Sequence, residues 1–218
     1  MPNITNVQVY GLDESIYRSG YPMLKTAPTA EEFQTAVSEI RAARESGGEE
    51  TDHPHVARAI KLANAKGGGH DQFLAGITVT FDMTLSNKAW VEAERYRFLT
   101  FISSMSTMHR VAHFNIGESC NDHTCKESIA VAEAFQQTYN AIDGTADPAG
   151  KRAAYLDLLY NLPAGFELMA GMITNYRCLR NIYEQRRNHR LPDWKVVCDW
   201  IETLPLAKKL ITPGLGVK

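Results

Sequence analysis

This sequence lacks long apolar runs, a signal-like start and any basic block, and each absence argues against a class of protein. No apolar segment approaches the roughly 20 residues that a membrane helix requires. The first residues, MPNITNVQVYGLDES, have neither the basic segment nor the apolar region of a secretory signal. The formal net charge is −2, so a basic face for nucleic acid is not expected. We therefore expect a cytoplasmic protein with no membrane and no nucleic-acid partner.

Common catalytic and metal-binding motifs are missing as well. There is no GxSxG elbow, and none of the four cysteines lies in a known nucleophile signature. The glycines at 67–69 are not followed by the Lys-Ser or Lys-Thr pair of a phosphate loop. His113, Cys120, His123 and Cys125 lie close together but fit no common zinc spacing. We predict a polar loop with reduced thiols and no metal there, with a metal site as the alternative.

The apolar pattern predicts both strands and helices. Strict alternation predicts a strand over 73–84, and strand-like runs occupy 3–10 and 165–174. Thr29, with Glu32 three residues later, predicts a capped helix start. Helical spacing predicts the remaining elements, namely helices over 29–46, 53–65, 87–97, 126–142, 149–160 and 175–190, and a last helix carrying Trp194, Val197, Trp200 and Ile201. These elements form one α+β domain.

Two clusters of polar side chains stand out from this pattern. One runs from Glu92 to Arg110, and the other covers 175–190. Arg177 and Asn181 are four apart and share a helical face, whereas Arg186 points to a different side. These arginines could form a solvated face only. Their interleaving with Asn, Tyr and His instead favours recognition of phosphate or aromatic rings.

Two motifs in the first half resemble the flavin-dependent thymidylate synthase family. Arg95-Tyr96-Arg97, followed after eight residues by Ser106, resembles the family's Arg-His-Arg signature with its later serine. Gly69-His70-Asp71, just before the 73–84 strand, resembles the family's Gly-His-Glu lead into its first core strand.

A third motif lies downstream at the expected separation. It resembles the family's Asn-x-Arg-x-x-x-Asn-x-x-x-x-Arg helix and consists of Asn175, Arg177, Asn181 and Arg186. The resemblance covers about residues 65–204. It implies a single domain over 1–218, with an antiparallel sheet and packed helices.

The resemblance also implies an activity. Family members transfer a one-carbon unit from methylenetetrahydrofolate to C5 of dUMP, giving dTMP, with FAD as cofactor and NADPH as reductant. They are homotetramers whose active sites are shared between subunits. Matching positions imply FAD contacts from Arg95, Tyr96, Arg97, Asn175, Arg177 and Asn181, with His70 beside flavin and folate. Ser106 and Arg186 would hold the nucleotide and act as the catalytic residues, since a fixed cation can stabilise negative charge on the pyrimidine ring.

Departures from the family pattern lie mostly on the nucleotide side. The central histidine of the signature is Tyr96, and a glutamine three residues before it is Glu92. At two positions where family members have arginine, this chain has Leu159 and Met108. Arg110 is close enough to Met108 to replace the second arginine in substrate binding. Glu92 could accept a hydrogen bond from a pyrimidine amino group, which would favour dCMP over dUMP.

Three alternatives to dUMP methylation follow. The enzyme could be a C5 methyl- or hydroxymethyltransferase acting on dCMP or UMP. The chain could instead be a non-catalytic nucleotide-binding homologue. In the last alternative the chain is a structural protein whose arginine-rich helix only makes oligomer contacts.

Overall fold

The computed structural model describes residues 2–46, 52–65, 69–142 and 147–212. Within them, four strands form one antiparallel sheet in the order β1-β2-β4-β3. The strands are β1 (Asn3–Tyr10), β2 (Thr78–Ser86), β3 (Thr100–Ser104) and β4 (Glu167–Asn175). The α+β class with an antiparallel sheet is thereby confirmed.

Helices account for most of the other described residues. They are α1 (Leu12–Arg18), α2 (Ala30–Glu45), α3 (Pro54–Ala63), α4 (Asn87–Ala93), α5 (Thr107–Arg110), α6 (Lys126–Ile142), α7 (Pro148–Tyr160), α8 (Tyr176–Arg186), α9 (Pro192–Ile201) and α10 (Ala207–Leu210). Over the described residues, no helix is long and apolar enough to cross a membrane.

The centre of the sheet is the long pairing of β2 with β4. Its register runs without a shift from Thr78 opposite Asn175 to Ser86 opposite Glu167. Alternate residues of β2, such as Phe81 and Met83, are buried, so one face of the sheet packs on the helices. Because β4 runs directly into α8 and Asn175 caps that helix by accepting from the Cys178 N–H at 2.9 Å, the first turn of α8 is rigidly placed.

Helices α8 and α9 pack into the main core beneath the sheet. Tyr176 and Trp194 are fully buried, and Ile182 and Ile201 are almost so. The Tyr176 hydroxyl donates to the Pro205 carbonyl at 2.8 Å, which satisfies the polar end of a buried ring. This core fixes the relative position of the two helices and of the side chains that project from their ends.

Several predicted boundaries are correct and three are wrong. The capping box of Thr29 and Glu32 is present at the start of α2. The predicted strand over 73–84 begins only at Thr78, because residues 72–76 form a 3-10 turn. Leu74 and Ile77 are both fully buried, and a spacing of three suits a 3-10 turn and not the alternation of a strand.

Two helices end earlier than predicted. Helix α4 stops at Ala93 rather than at 97, and α8 stops at Arg186 rather than at 190. After α8 the chain turns tightly, with His189 N–H donating to the Arg186 carbonyl at 2.9 Å. Strand β3 was missed because all its residues are exposed, so its apolar residues do not alternate. The sequence predicts a hinge or turn at 66–69 leading to His70, and residues 66–68 of it lie outside the described residues.

Candidate functional site

A cleft of about 790 Å3 lies between the start of α8, the turn after α4 and the segment before β2. All six positions matched to FAD contacts line it, namely Arg95, Tyr96, Arg97, Asn175, Arg177 and Asn181. The two sequence clusters, about 80 residues apart in the chain, therefore meet here. His70 is exposed between Gly69 and Asp71, which both line the cleft.

The turn after α4 exposes two arginines to the cleft because the residues that hold the turn in place, Tyr96 and Leu99, are buried. Tyr96 N–H donates to the Ala93 carbonyl at 3.0 Å, and Leu99 N–H donates to the Tyr96 carbonyl at 2.9 Å. Tyr96 and Leu99 are each 7% exposed. Arg95 and Arg97, on either side of Tyr96, are exposed.

The lining of the cleft carries excess positive charge. It contains the arginines Arg95, Arg97, Arg177 and Arg180 against the carboxylates Asp71 and Glu184. Arg177 donates to Gln72 Oε1 at 2.6 Å and lies 3.4 Å from Asp71 Oδ1. Arg180 donates to the Ala63 carbonyl and to Glu184. With its two asparagine amides, the cleft suits an anionic ligand that also carries hydrogen-bonding rings.

Beside the cleft lies a second group, here called the Arg186 cluster, made of Glu92, Tyr96, Arg186, His189 and Trp194. Arg186 Nη1 donates to Glu92 Oε2 at 2.6 Å, and Nε donates to the Tyr96 hydroxyl oxygen at 2.8 Å. The guanidinium lies 4.7 Å from the Trp194 ring centroid. Trp194 Nε1 donates to the same Glu92 oxygen at 3.0 Å, and His189 Nε2 lies 3.3 Å from it.

The Arg186 cluster is partly shielded from solvent, which perturbs its ionisation. The side chains of Arg186 and Glu92 are 16% and 18% exposed. Burial acts to raise the pKa of Glu92, but hydrogen bonds from Trp194 and Lys88 and the charges of Arg186 and His189 leave that pKa below its usual range. Burial raises the pKa of Tyr96, against the opposing effect of Arg186. Glu92 is thus an anion and Tyr96 a neutral phenol at neutral pH.

Ser106 lies in a different region from the Arg186 cluster, and both regions border helix α4. Asn87, Val91 and Glu94 share a groove of about 430 Å3 with Ser106. Glu92, on a different face of α4, pairs with Arg186. The two predicted catalytic residues thus lie on different sides of this helix within one chain. Arg110, exposed at the end of α5, lines neither the cleft nor the groove.

The cysteines are free thiols, and the region around them holds no metal-like cluster. Among the described residues, no group of three or more His, Cys, Asp or Glu side chains is arranged to hold a metal ion. Burial raises the pKa of Cys178, which lines the cleft, and that of Cys198 to about 12. Neither thiol is therefore an activated nucleophile at neutral pH.

Sequence reasoning assigned no role to several residues that shape the two regions. Trp194 and His189 lie close to Arg186 although the sequence showed Trp194 only as part of an apolar helix face. Gln185 bonds the Tyr96 hydroxyl at 3.0 Å. Arg180 and Gln72 line the cleft. Arg180 and His189 already belonged to the 175–190 cluster, and Gln72 directly follows the Gly69-His70-Asp71 motif, whereas Trp194 carried no such signal.

Comparison with known proteins gives matches in structure but not in sequence. No protein-family model and no curated protein matches this chain. Two solved structures of a flavin-dependent thymidylate synthase from Helicobacter pylori, with FAD and dUMP, match at TM-scores of 0.60 and 0.55, with 13% and 12% identity. The first match covers 96% of this chain and 97% of that one, and the second covers 97% of each.

A third solved structure of similar fold is a nucleotide methylase. It is a UMP/dUMP methylase from Streptomyces cacaoi bound to 5-bromo-dUMP, with a TM-score of 0.53 and 11% identity over 97% of this chain and 95% of that one. At such identities the likeness concerns the fold. The chain has the fold of the flavin-dependent thymidylate synthases, a fold shared with a pyrimidine nucleotide methylase.

Proposed function

We propose that this protein is an FAD-dependent enzyme that transfers a one-carbon unit from methylenetetrahydrofolate to C5 of dUMP, giving dTMP. One observation carries the proposal, namely that the six residues matched to FAD contacts from two distant motifs line a single cleft. Fold alone would not support an activity. Because these side chains converge on one cavity, the chain has, besides the fold, residue types that suit FAD in a single cleft.

The residues of the cleft fit FAD. Arg95, Arg97 and Arg177 offer cationic donors for a pyrophosphate, and Asn175 and Asn181 offer amides for hydrogen bonds to a ring or a ribose. When bound, the reduced flavin supplies the hydride, with NADPH as the source of reducing equivalents. In this proposal His70, exposed between two residues that line the cleft, faces the flavin and the folate.

In this proposal the chain's own residues act on the nucleotide. Arg186 is a half-buried cation whose guanidinium is held by Glu92 and Tyr96. A cation fixed near the pyrimidine carbonyls stabilises negative charge that develops on the ring during attack at C5. Ser106 contributes a hydroxyl to the nucleotide. The raised pKa values of Cys178, which lines the cleft, and of Cys198 accord with a reaction that needs no enzymic cysteine at C6.

We further propose a homotetramer in which two copies of the chain complete each site. Ser106 shares a groove with Asn87, Val91 and Glu94, whereas Arg186 pairs with Glu92 on another face of α4, and this separation supports a site to which a second copy contributes one of the two residues. The surface around Ser106 is apolar for a free surface: Ile102 is 62%, Met105 42% and Met108 56% exposed. Such a patch is typical of a protein interface.

A second candidate function is C5 methylation of UMP. The shared fold of a UMP/dUMP methylase favours it, and the departures at Leu159 and Met108 lie where the family binds the nucleotide. Action on dCMP, a hydroxymethyl transfer, and a nucleotide-binding protein without activity are the remaining alternatives.

The visible spectrum of the purified protein tests the proposal. FAD is titrated alone and with dUMP, UMP or dCMP, and formation of dTMP is then assayed with methylenetetrahydrofolate and NADPH. We expect FAD to bind and its spectrum to shift with dUMP. A shift and product with UMP alone would select the second candidate, and an absence of FAD binding would contradict a flavoenzyme.

A further inference from the structure

The carboxylate of Glu92 is already engaged in the folded chain. Its Oε2 atom lies within 3.3 Å of donors on three residues, namely Arg186, Trp194 and His189. Its Oε1 atom faces Lys88 Nζ at 3.4 Å. An oxygen with three such neighbours has no lone pair left for an amino group of a ligand. Oε2 is therefore fully engaged, and the sequence-based expectation that Glu92 reads a pyrimidine amino group is left with Oε1 as the acceptor.

The guanidinium of Arg186 is fixed on two edges and one face. Tyr96 accepts from Nε, Glu92 accepts from Nη1, and the Trp194 ring packs against the guanidinium plane. Tyr96 is held in turn by Gln185, one residue before Arg186. These contacts use two of the five N–H bonds of the side chain. Among the described residues, Nη2 has no hydrogen-bond partner.

We propose that Glu92 and Tyr96 are positioning residues that together aim the remaining N–H edge of Arg186 at a carbonyl edge of the pyrimidine. The proposal rests on the proposed function and narrows its substrate class. Uracil and cytosine share the C2 carbonyl and differ at C4, so the edge meant here is the one that carries O4. A guanidinium only donates hydrogen bonds, so at C4 it pairs with the carbonyl of a uracil nucleotide and not with the amino group of a cytosine nucleotide. The two positions at which this chain departs from the Gln and His of the family pattern converge on one arginine.

The two departures from the family pattern, Glu92 and Tyr96, complement each other because both contact Arg186. A carboxylate at 92 provides the charge partner that a largely buried arginine requires, and a phenol at 96 supplies a neutral acceptor for the second edge. A side chain with two fixed edges loses little further entropy when a ligand binds. Positioning thus acts on nucleotide affinity through Arg186 and not by direct contact with the base.

A double-mutant cycle tests this proposal. The nucleotide dissociation constant is measured from the flavin spectrum for the wild type, Glu92→Gln, Arg186→Lys and the double variant. We expect Glu92→Gln to weaken dUMP or UMP binding about tenfold, as for loss of one charge-assisted hydrogen bond. In the Arg186→Lys background it should have no further effect. Tyr96→Phe should behave like Glu92→Gln.

Matched controls are available on the same helix. Tyr183 on α8 donates its hydroxyl to the Glu202 carboxylate, away from the cleft. Tyr183→Phe and Glu202→Gln therefore remove a similar pair, and we expect them to leave nucleotide affinity within about twofold. Additive effects of Glu92→Gln and Arg186→Lys, or tighter binding of dCMP than of dUMP and UMP by the wild type, would overturn the proposal.

The positioning role has a readout that needs no ligand. The indole N–H proton of Trp194 reports on Glu92 by NMR, since it donates to the same oxygen as Arg186. We expect Arg186→Lys and Tyr96→Phe to shift this resonance, and Tyr183→Phe to leave it unchanged. If the wild type bound no FAD, the proposed function would fail while this measurement still judged the cluster. An indole resonance insensitive to Arg186→Lys would overturn the cluster itself.

Discussion

The two ends of helix α8 carry arginines in opposite circumstances. Near its start, Arg177 is 44% exposed, opens into the cleft and contacts Asp71 and Gln72 at the rim. At its end, Arg186 is 16% exposed and held by Glu92, Tyr96 and Trp194. The same residue type on one helix is thus a ligand-facing cation at one end and an internally held cation at the other.

The difference shows that the neighbours of an arginine decide what it can do. Exposed arginines gain little from surface pairs and remain available to an anion. A half-buried arginine must be paired, because an uncompensated charge there is costly. Three variants, ordered from the largest expected effect to the smallest, separate the two ends.

The largest effect is expected for Trp194→Ala, which removes the ring beneath Arg186. Trp194 is fully buried, and truncation of such a ring costs about 3–5 kcal/mol of unfolding free energy. Urea denaturation measures it. Arg177→Ala, at the open end, should cost no more than about 0.5 kcal/mol in the same assay. Similar losses for both variants would show that the two ends do not differ as described.

The next effect concerns the open end and ligand binding. Arg177→Ala should weaken FAD binding by about 1.5–3 kcal/mol, or roughly tenfold to a hundredfold, because one charge-assisted contact is lost. Titration of the flavin spectrum measures this change. Arg152→Ala, an exposed arginine on α7 outside the cleft, is the control and should not alter affinity. An unchanged FAD affinity in Arg177→Ala would count against the cleft as the flavin site.

The smallest effect is a pH dependence at the paired end. The folded-state pKa of Glu92 is depressed, so its stabilising contribution is present above the unfolded pKa of about 4.3 and is lost as pH falls through the folded value. Wild type should therefore lose more stability than Glu92→Gln between about pH 5 and pH 3. Urea melts across that range make the comparison. Parallel curves for the two proteins would argue against an ionised, paired Glu92.

The sequence predicted the elements better than their ends. Helix α2 and strand β1 were correct because a capping box and a short apolar alternation are local signals. The limit of α4 could not be read from sequence. Its last turn tightens because Tyr96 and Leu99 enter the core, and that burial depends on residues distant in the chain.

The residues of the candidate site were also predicted in part from the sequence, and some of their contacts were not. The motifs in the sequence already singled out six of the residues that line the cleft, and their side-chain types suited phosphate and ring recognition. Their FAD contacts remain a prediction. The engagement of Glu92 with Arg186 was not predicted, because the two residues are 94 positions apart and no local pattern links them.

By itself, the sequence determined the α+β class, most helices and strands, and the two clusters of polar residues, because these depend on periodicity and residue type over short stretches. Only the tertiary structure decided which arginines face the cleft and which is held inside. That choice depends on burial and on partners brought together by the β2–β4 pairing and by the packing of α8 on α9. Charge in a folded chain acquires its role from its surroundings, and those surroundings are assembled from residues far apart in the sequence.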